Sequence, residues 1–214
     1  MRNRDFGALA RYADRWNPES DELVASRQIA AEYEVEPTAP TTARTYTFLT
    51  RLRQPASVIE VGTGTGTGTL ALMAGMPRMG VLTSVDTEAD RQSVARELLD
   101  VAGVGRHRVR MITGRGEDVL SRLAAGGYDM VVLDADPTSY DRLLPLAADR
   151  LSAGGLLVID RALGGGAVTE PTDREPRTRA LRDMLSRARD RVDLHELLLP
   201  VDDGLLVLSK GDAH

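Results

Sequence analysis

Apolar residues follow two alternating periods along most of the chain. Short aliphatic and β-branched runs, typical of buried parallel strands, are each followed by a segment whose apolar residues lie three or four positions apart, as in amphipathic helices. The strand-like runs cover residues 58–61, 80–86, 109–112, 128–134 and 155–160. This repetition of strand and helix predicts an α/β fold with a doubly wound, mostly parallel sheet.

The last part of the chain departs from this repeat. Two further strand-like runs, 192–199 and 204–208, are joined by Pro-Val-Asp-Asp-Gly, whose glycine begins the second run. This connection is too short for a helical crossover, so the two runs are predicted to pair antiparallel. We therefore expect a seven-stranded sheet with an antiparallel last strand. The intervening helices are predicted at 88–102, 117–125, 140–151 and 178–191.

The first 36 residues have the spacing of two helices, with a break at Asn17 and Pro18. A third helix is predicted from about residue 42 to residue 53. A chain of 214 residues has the length of one domain. We expect a single domain over residues 1–214, in which a helical leader at 1–40 caps the sheet or binds another subunit and a core occupies 41–210.

Composition narrows the class of protein. The chain has 42% hydrophobic and 28% charged residues, which is ordinary for a globular domain. The absence of cysteine excludes disulfides and thiolate metal sites. No signal peptide and no apolar run of membrane-spanning length is visible, so a cytoplasmic protein is expected. The net charge of −5 gives no overall positive field for a nucleic-acid partner.

Residues 56–70, with the sequence ASVIEVGTGTGTGTL, carry the strongest ligand signal. A strand that runs into a glycine turn and then a helix presents free backbone N–H groups to a ligand. The spacing does not fit a dinucleotide fingerprint, because its third glycine would fall on Thr67, Thr69 or Ala71, and no lysine is present for a phosphate loop. The remaining pattern, E-x-G-x-G-x-G, resembles motif I of the S-adenosylmethionine (SAM)-dependent methyltransferases. The alternative is a flexible glycine- and threonine-rich linker.

Acidic residues end, or nearly end, four of the predicted parallel strands. They are Glu60, Asp86, Asp134 and Asp160. Ligands bind beyond these strand ends in an open parallel sheet. Asp86 suits the vicinal hydroxyls of a ribose, with a helix N-cap as the alternative. A charge within a buried strand is costly without a partner, which favours a ligand-linked role for Glu60 over a solvated edge position, whereas Asp136 is typical of a turn.

Several segments together resemble the cation-dependent O-methyltransferases of the catechol and caffeoyl-CoA type (family 3). They are EVGTGTGTGTL, SVDTE, DMVVLDADP, GGLLVID, EPRTRALR and DGLLVL. The combination of DADP with Arg-Ala-Leu-Gly-Gly indicates a divergent actinobacterial-type branch. The resemblance implies a class I methyltransferase Rossmann-like fold, SAM as cofactor, and a homodimer in which the N-terminal helices and the loop at 161–176 take part.

The resemblance also assigns cofactor-binding residues one by one. The glycine loop holds the methionine part of SAM, although Gly68 stands where the family usually has a serine. Asp86 matches the acid that binds the ribose, and Arg115 with Gly116 matches the adenine-edge segment. The implied cofactor-binding residues are Thr42, Glu60, Gly62, Thr63, Gly64, Gly68, Asp86, Arg115, Gly116 and Asp134.

Two departures from the family pattern concern catalysis. The resemblance implies that Asp134 and Asp160 ligate a divalent cation such as Mg²⁺. The next metal ligand, an asparagine, is replaced by Arg161, and the catalytic lysine is replaced by Pro137. A guanidinium has donors only and cannot serve Mg²⁺, which prefers oxygen ligands. We therefore expect weak or absent metal dependence, with Arg161 filling the place of the cation and with Asp134 and Arg161 as the catalytic residues.

The leading prediction is methyl transfer from SAM to a hydroxyl of a small, phenolic or catechol-like molecule. The alternative is a SAM-binding homologue with lost or altered catalysis that acts as a sensor or partner subunit. A nucleic-acid methyltransferase is disfavoured by the acidic charge, and an NAD-dependent oxidoreductase by the glycine spacing. Tyr140 is a further catalytic candidate, whereas His107 and His195 are predicted to be structural because they lie near strand starts.

Overall fold

The computed structural model describes residues 6–16 and 18–211. Within these residues the chain forms eight α-helices and seven strands. The helices are α1 Phe6–Trp16, α2 Asp21–Glu32, α3 Pro40–Arg53, α4 Thr67–Gly75, α5 Ala89–Val101, α6 Gly116–Leu120, α7 Tyr140–Arg150 and α8 Pro176–Arg189. The strands are β1 Ser57–Val61, β2 Val81–Asp86, β3 Val109–Thr113, β4 Tyr128–Leu133, β5 Leu151–Ile159, β6 Leu194–Leu199 and β7 Leu205–Lys210.

All seven strands belong to one sheet, in the order β3-β2-β1-β4-β5-β7-β6. Strands β1 to β5 pair in parallel, and β7 runs antiparallel between β5 and β6. The chain reverses its direction of winding between β1 and β4, where doubly wound sheets open a ligand crevice. The predicted class I methyltransferase Rossmann-like fold, with its antiparallel last strand, is confirmed.

The sheet is covered on both faces, which explains the nearly continuous apolar runs in its strands. Ile59 and Val61 of β1 pack into a cluster with α6, α7 and α8. Val58, on the opposite face of the same strand, packs into a second cluster with α3, α4 and α5. Alternate residues of each central strand are therefore buried on opposite sides.

The N-terminal helices are fastened to the core by polar contacts. Asp14 of α1 accepts hydrogen bonds from the Thr41 hydroxyl at 2.9 Å and from Arg44 Nη1 at 3.0 Å. Arg27 of α2 pairs with Glu19 and donates to the carbonyl of Thr38. The contacts of Asp14 join α1 to α3, and the contact of Arg27 with Thr38 holds the 34–38 segment, which lies between α2 and α3. The helical leader was also predicted over residues 1–5 and Asn17, which lie outside the described residues.

Most differences from the predicted elements are shifts of their ends. Helix α3 begins at Pro40, because proline suits the first turn of a helix, and α6 ends at Leu120 rather than at 125. Strand β5 begins at Leu151, immediately after α7, rather than at 155. A register shift between Tyr128 and Met130 accommodates this early start.

Pro145 lies inside α7 without ending it. Within residues 6–16 and 18–211, none of the helices combines the length and apolar character that crossing a bilayer requires.

Candidate cofactor site and active site

A cavity of about 950 Å³ opens beyond the C-terminal ends of β1, β2 and β4. It is the place at which the strand order predicts a ligand. Most of the residues that the sequence assigned to the site lie in its wall. These are Gly62, Thr63, Gly64, Gly68, Asp86, Arg115, Gly116, Asp134 and Arg161. Thr42, Glu60 and Asp160 do not line the cavity.

Gly62 allows the ends of β1 and β4 to approach each other. Its backbone has φ +105°, and a Cβ at this position would lie 1.9 Å from the carbonyl oxygen of Asp134. The Asp134 N–H donates to the Val61 carbonyl at 2.8 Å, which holds the two strand ends together. Any side chain at residue 62 would therefore separate the glycine loop from Asp134.

Asp86, at the end of β2, anchors the glycine loop. Its carboxylate accepts the Gly64 N–H at 2.8 Å and the Glu88 N–H at 3.0 Å. The first contact fixes the loop, and the second fixes the turn before α5. Carboxylate oxygens accept more than one hydrogen bond each, so these contacts leave capacity for a ligand diol.

Glu60 lies behind the loop and is 1% exposed. Its Oε2 accepts hydrogen bonds from the hydroxyls of Thr69 at 2.5 Å and Ser84 at 2.6 Å. Burial is the main cause that raises the pKa of Glu60 to about 8, although these two hydrogen bonds oppose the shift. The Thr63 hydroxyl joins this network at 2.6 Å from the Ser84 hydroxyl, so Thr63 faces the cavity through its backbone.

Thr38 is a cavity residue that the sequence reasoning missed. Its Oγ1 lies 2.9 Å from the position that a Cβ on Gly68 would take, and Glu60 Oε1 lies at the same distance from that position. Thr38 thus brings a hydroxyl beside the place where relatives usually have a serine. The only sequence signal was its position two residues before the proline that starts α3.

Thr42, four residues after Thr38, has a different set of contacts. Its N–H and hydroxyl both donate to Asp202 Oδ2, at 2.8 Å and 3.0 Å. These bonds tie the first turn of α3 to the connection between β6 and β7. Because this threonine is fully buried and bonded away from the cavity, it is Thr38 and not Thr42 that reaches the cavity wall.

Two further threonines in the glycine loop have unsatisfied hydroxyls. Thr65 and Thr67 are 2% and 3% exposed and both line the cavity. Their Oγ1 atoms have no hydrogen-bond partner among the described residues. Buried hydroxyls normally have a partner, so the loop is chemically incomplete without a polar ligand. The residues present therefore fit the amino acid and ribose parts of SAM.

The predicted adenine-edge segment follows β3. Gly116 packs tightly, since a Cβ there would lie 2.5 Å from Val61 Cγ1. The Arg115 side chain is 62% exposed and pairs with Glu117. Arg115 therefore lies at the mouth of the cavity, where its guanidinium forms part of the rim.

Asp134 and Arg161 form an ion pair in the cavity wall. Arg161 Nη2 lies 3.0 Å from Asp134 Oδ1 and 3.1 Å from Oδ2. Burial raises the pKa of Asp134, and the charge of Arg161 opposes that shift. Burial lowers the pKa of Arg161, but Asp134, Asp160 and Glu36 outweigh this effect and hold it above its ordinary value. Arg161 is therefore a permanent cation here.

Asp160 points away from the cavity. Its Oδ1 accepts the N–H of Arg161 at 2.7 Å, and its Oδ2 is buried without a hydrogen-bond partner among the described residues. The hydroxyl of Tyr46, also buried, is the side-chain hydrogen-bonding group beside this carboxylate. Burial and the nearby Asp134 raise the pKa of Asp160.

These contacts do not fit a divalent cation held by Asp134 and Asp160. Both oxygens of Asp134 face a guanidinium nitrogen, Asp160 is directed toward α3, and residue 161 has no oxygen in its side chain. Residues 6–16 and 18–211 contain no group of three or more acidic, histidine or cysteine side chains arranged to hold a metal ion.

The other predicted residues lie outside the reactive part of the cavity. Asp136 accepts hydrogen bonds from the N–H and the hydroxyl of Thr138, which confirms its turn role. Tyr140 is 1% exposed in the core, and burial raises its pKa. His107 lies in a 3-10 turn and His195 in β6; both are exposed and neither lines the cavity.

Comparison with known proteins decides the family. A family profile described as O-methyltransferase matches residues 22–211. The chain belongs to the O-methyltransferase family. This membership confirms the predicted resemblance and makes the protein a SAM-dependent O-methyltransferase.

Relatives of this methyltransferase cover nearly its whole length. A protein of Mycobacterium sp. (strain KMS), named as a candidate O-methyltransferase, is 33% identical over 95% of this chain and 92% of its own length. A solved structure from Corynebacterium glutamicum has a TM-score of 0.91 and 28% identity, and covers 99% of both chains. The O-methyltransferase from Bacillus cereus, solved with S-adenosylhomocysteine (SAH), has a TM-score of 0.84 at 20% identity and covers 95% and 97%, which shows the shared fold.

Proposed function

We propose that this methyltransferase transfers the methyl group of SAM to a hydroxyl of a small phenolic or catechol-like molecule. The observation that carries the proposal is the position of the Asp134–Arg161 pair. The pair lies in one cavity with the glycine loop on one side and an α8 wall that includes Leu181 on the other. An acceptor between these walls would contact a carboxylate, a cation and apolar surface at once.

Several residues of this chain would hold SAM. The backbone N–H groups of the glycine loop, the hydroxyls of Thr65 and Thr67, and Thr38 suit its methionine part. Asp86 suits the ribose, because its carboxylate lies at the end of β2 and accepts from the loop. When bound, SAM supplies an electrophilic methyl group, and its sulfur keeps the electron pair of the broken bond and becomes neutral.

The apolar wall of the acceptor part suits a flat ring. Leu143, Leu181, Ala167 and Pro137 line the same cavity as Asp134. A ring packed on this wall would direct its hydroxyl to the Asp134–Arg161 pair. The Asp134 carboxylate is placed to accept the hydroxyl proton as the oxygen–carbon bond forms, and then to release it to water. The main contribution of the protein is to position the acceptor hydroxyl against the methyl group of SAM.

A panel of acceptors tests this proposal. Purified protein is incubated with SAM and with catechol, guaiacol, phenol, an aliphatic alcohol and an aromatic amine, and the methylated products are identified by mass spectrometry. We expect methyl ethers from the phenolic compounds only. Methylation of the amine alone, or of no hydroxyl under any condition, would contradict the proposed acceptor.

A homodimer is proposed as well, on the basis of exposed apolar side chains on the N-terminal helices. Tyr12 and Trp16 of α1 are 59% and 72% exposed, and Phe48 and Leu52 of α3 are 65% and 72% exposed. Such a concentration of exposed large apolar residues favours an interaction surface. Sedimentation analysis of the native protein and of a Trp16→Ala, Leu52→Ser variant tests it; a monomeric native protein would exclude the dimer.

A further inference from the structure

The active site already contains a fixed cation. The Arg161 guanidinium contacts both oxygens of Asp134 through Nη2, at 3.0 Å and 3.1 Å. Its Nη1 donates to Glu36 Oε2 at 2.8 Å, and its Nη2 also donates to the Glu36 carbonyl at 3.3 Å. Glu36 belongs to the 34–38 segment, so Arg161 is held from two separate parts of the chain.

Two of the donors of Arg161 are left over. A guanidinium has five N–H groups. The contacts to Asp134 and Glu36 use both hydrogens of Nη2 and one of Nη1. The Nε–H and the second Nη1–H have no acceptor among the described residues, although the side chain is only 28% exposed and lines the cavity. Because the side chain lines the cavity, these two N–H groups are available to an oxygen atom of a ligand.

The backbone holds this side chain in an unusual conformation. Arg161 has φ +52°, in the left-handed region that non-glycine residues rarely adopt. The Asp160 carboxylate binds the Arg161 N–H at 2.7 Å, and the Arg161 carbonyl accepts the Gly164 N–H at 3.0 Å. Backbone strain that several contacts enforce is found at functional sites, where it positions a group before the ligand arrives.

We propose that the guanidinium of Arg161 is the resident cation of this active site: it binds the substrate oxygen that receives the methyl group, so transfer requires neither a divalent metal nor a second, vicinal hydroxyl. This inference rests on the proposed function and restricts its substrate requirement to one phenolic hydroxyl. The guanidinium favours the oxygen in its ionised form, and the proton passes to Asp134.

A guanidinium and a metal ion make different demands on the substrate. A metal ion can bind two neighbouring oxygens of the acceptor and orient it through both. The two remaining N–H groups of Arg161 lie on different edges of the planar guanidinium, so one acceptor oxygen can bind to one of them but not to both. The apolar wall would then provide the rest of the orientation, which is why a single hydroxyl is sufficient.

The first experiment compares metals and acceptors. Metal-free protein, treated with EDTA, is given SAM and either catechol or guaiacol, which has one hydroxyl beside a methoxy group. We expect the rates to agree within about twofold with and without added Mg²⁺ or Mn²⁺, and guaiacol to react within about tenfold of catechol. A rise above about tenfold on adding metal, or strict dependence on the catechol pair, would overturn the inference.

The second experiment observes ionisation without methyl transfer. The absorbance of 4-nitrophenol reports its ionised fraction, and SAH in place of SAM prevents reaction. We expect the wild-type protein to favour the bound phenolate and to lower the apparent pKa of the probe. Arg161→Met should abolish this shift and reduce the methylation rate by about 100-fold or more, while binding of SAH changes less than about threefold.

Two further variants keep this test decisive. Arg161→Lys retains a positive charge against Asp134, so it is a control for a folding defect. Its ammonium lacks the rigid planar array of donors that contacts Asp134 and Glu36 and still has N–H groups for a ligand, so it should lose most of the phenolate shift. Arg106→Met, a surface change at a residue paired with Asp100 and 74% exposed, is the control and should behave as wild type. A phenolate shift of wild-type size in Arg161→Lys would overturn the inference.

The two hypotheses fail in different ways. If phenols are methylated only when a metal is added, the role of Arg161 is wrong and the proposed function stands. If no phenol is methylated with or without metals, the proposed function itself fails.

Discussion

The two halves of the cavity are built in different ways. The glycine-loop half consists mainly of backbone N–H groups, small hydroxyls and the Asp86 carboxylate, all within or next to β1, β2 and α4. The acceptor half has the Asp134–Arg161–Glu36 cluster, which joins residues 27 and 125 positions apart in sequence. The first half depends on close backbone approach, whereas the second depends on a balance of charges around the partly buried Asp134–Arg161 pair. A change in the first is therefore expected to affect folding and cofactor binding, and a change in the second to affect chemistry.

Gly62→Ala, in the glycine-loop half, is expected to have the largest effect on stability and cofactor binding. The new Cβ would lie 1.9 Å from the Asp134 carbonyl oxygen, and backbone cannot move aside cheaply. We expect a loss of about 3–5 kcal/mol in the free energy of unfolding, together with loss of SAM binding. Chemical denaturation and calorimetry measure both.

Gly126→Ala is the matched control for this change. Gly126 has φ +66°, but a Cβ there would meet nothing within 4 Å. It should lose only the about 1–2 kcal/mol expected for a left-handed alanine. If Gly62→Ala and Gly126→Ala lose equal free energy of unfolding, the close contact between the ends of β1 and β4 is not the cause of the loss.

Asp86→Ala comes next and tests the anchor of the loop. It removes the acceptor of the Gly64 N–H and the proposed partner of the ribose. We expect SAM affinity to fall by about 10- to 100-fold, which corresponds to about 1.4–2.8 kcal/mol. Calorimetric titration measures the change, and Asp90→Ala, at an exposed position of α5, is the control. Unchanged affinity in Asp86→Ala would contradict the cofactor assignment as a whole.

The buried carboxyl of Glu60 should give a pH-dependent effect. Its pKa is raised to about 8 in the folded state, so the folded protein holds a proton that the unfolded chain has released. The stability of the wild type should therefore fall as pH rises from the unfolded pKa, about 4.5, to about 8. Glu60→Gln removes this titration.

Denaturant unfolding of the wild type and of Glu60→Gln near pH 5 and pH 8 tests whether stability falls as pH rises. The stability of the wild type relative to Glu60→Gln should drop by at least about 1 kcal/mol between these two values. A constant difference between the two proteins would mean that Glu60 titrates normally.

The smallest effect concerns Thr38 and Gly68. A methyl group on residue 68 would lie 2.9 Å from Thr38 Oγ1, so Gly68→Ala and Thr38→Ala should be coupled. The double variant should be more stable than the sum of the single changes predicts, by about 0.5–1 kcal/mol. Denaturant unfolding of the wild type, the two single variants and the double variant completes this double-mutant cycle. If the two changes in stability are additive, the Thr38 side chain moves away from the new methyl group without an energetic cost.

Much of the cofactor half could be predicted because its signals are local. The run of glycines after β1 and the acid at the end of β2 lie where strand order places a ligand, and both line the cavity. The assignment of Thr42 shows the limit of this reasoning. Its residue type suited a cofactor contact, but its bonds to Asp202, 160 positions away, direct it elsewhere, and Thr38 occupies the wall instead.

The amino-acid sequence by itself determined the doubly wound sheet, its antiparallel last pair and the edge at which a ligand is expected, because hydrophobic period and glycine spacing act over a few neighbouring residues. Only the tertiary structure decided which way each buried polar group points. Asp160 lies beside Tyr46, Glu60 lies behind the loop, and Arg161 bridges Asp134 and Glu36. Such orientations depend on satisfying charges and hydrogen bonds among residues that are distant in sequence, and no local pattern specifies these partners.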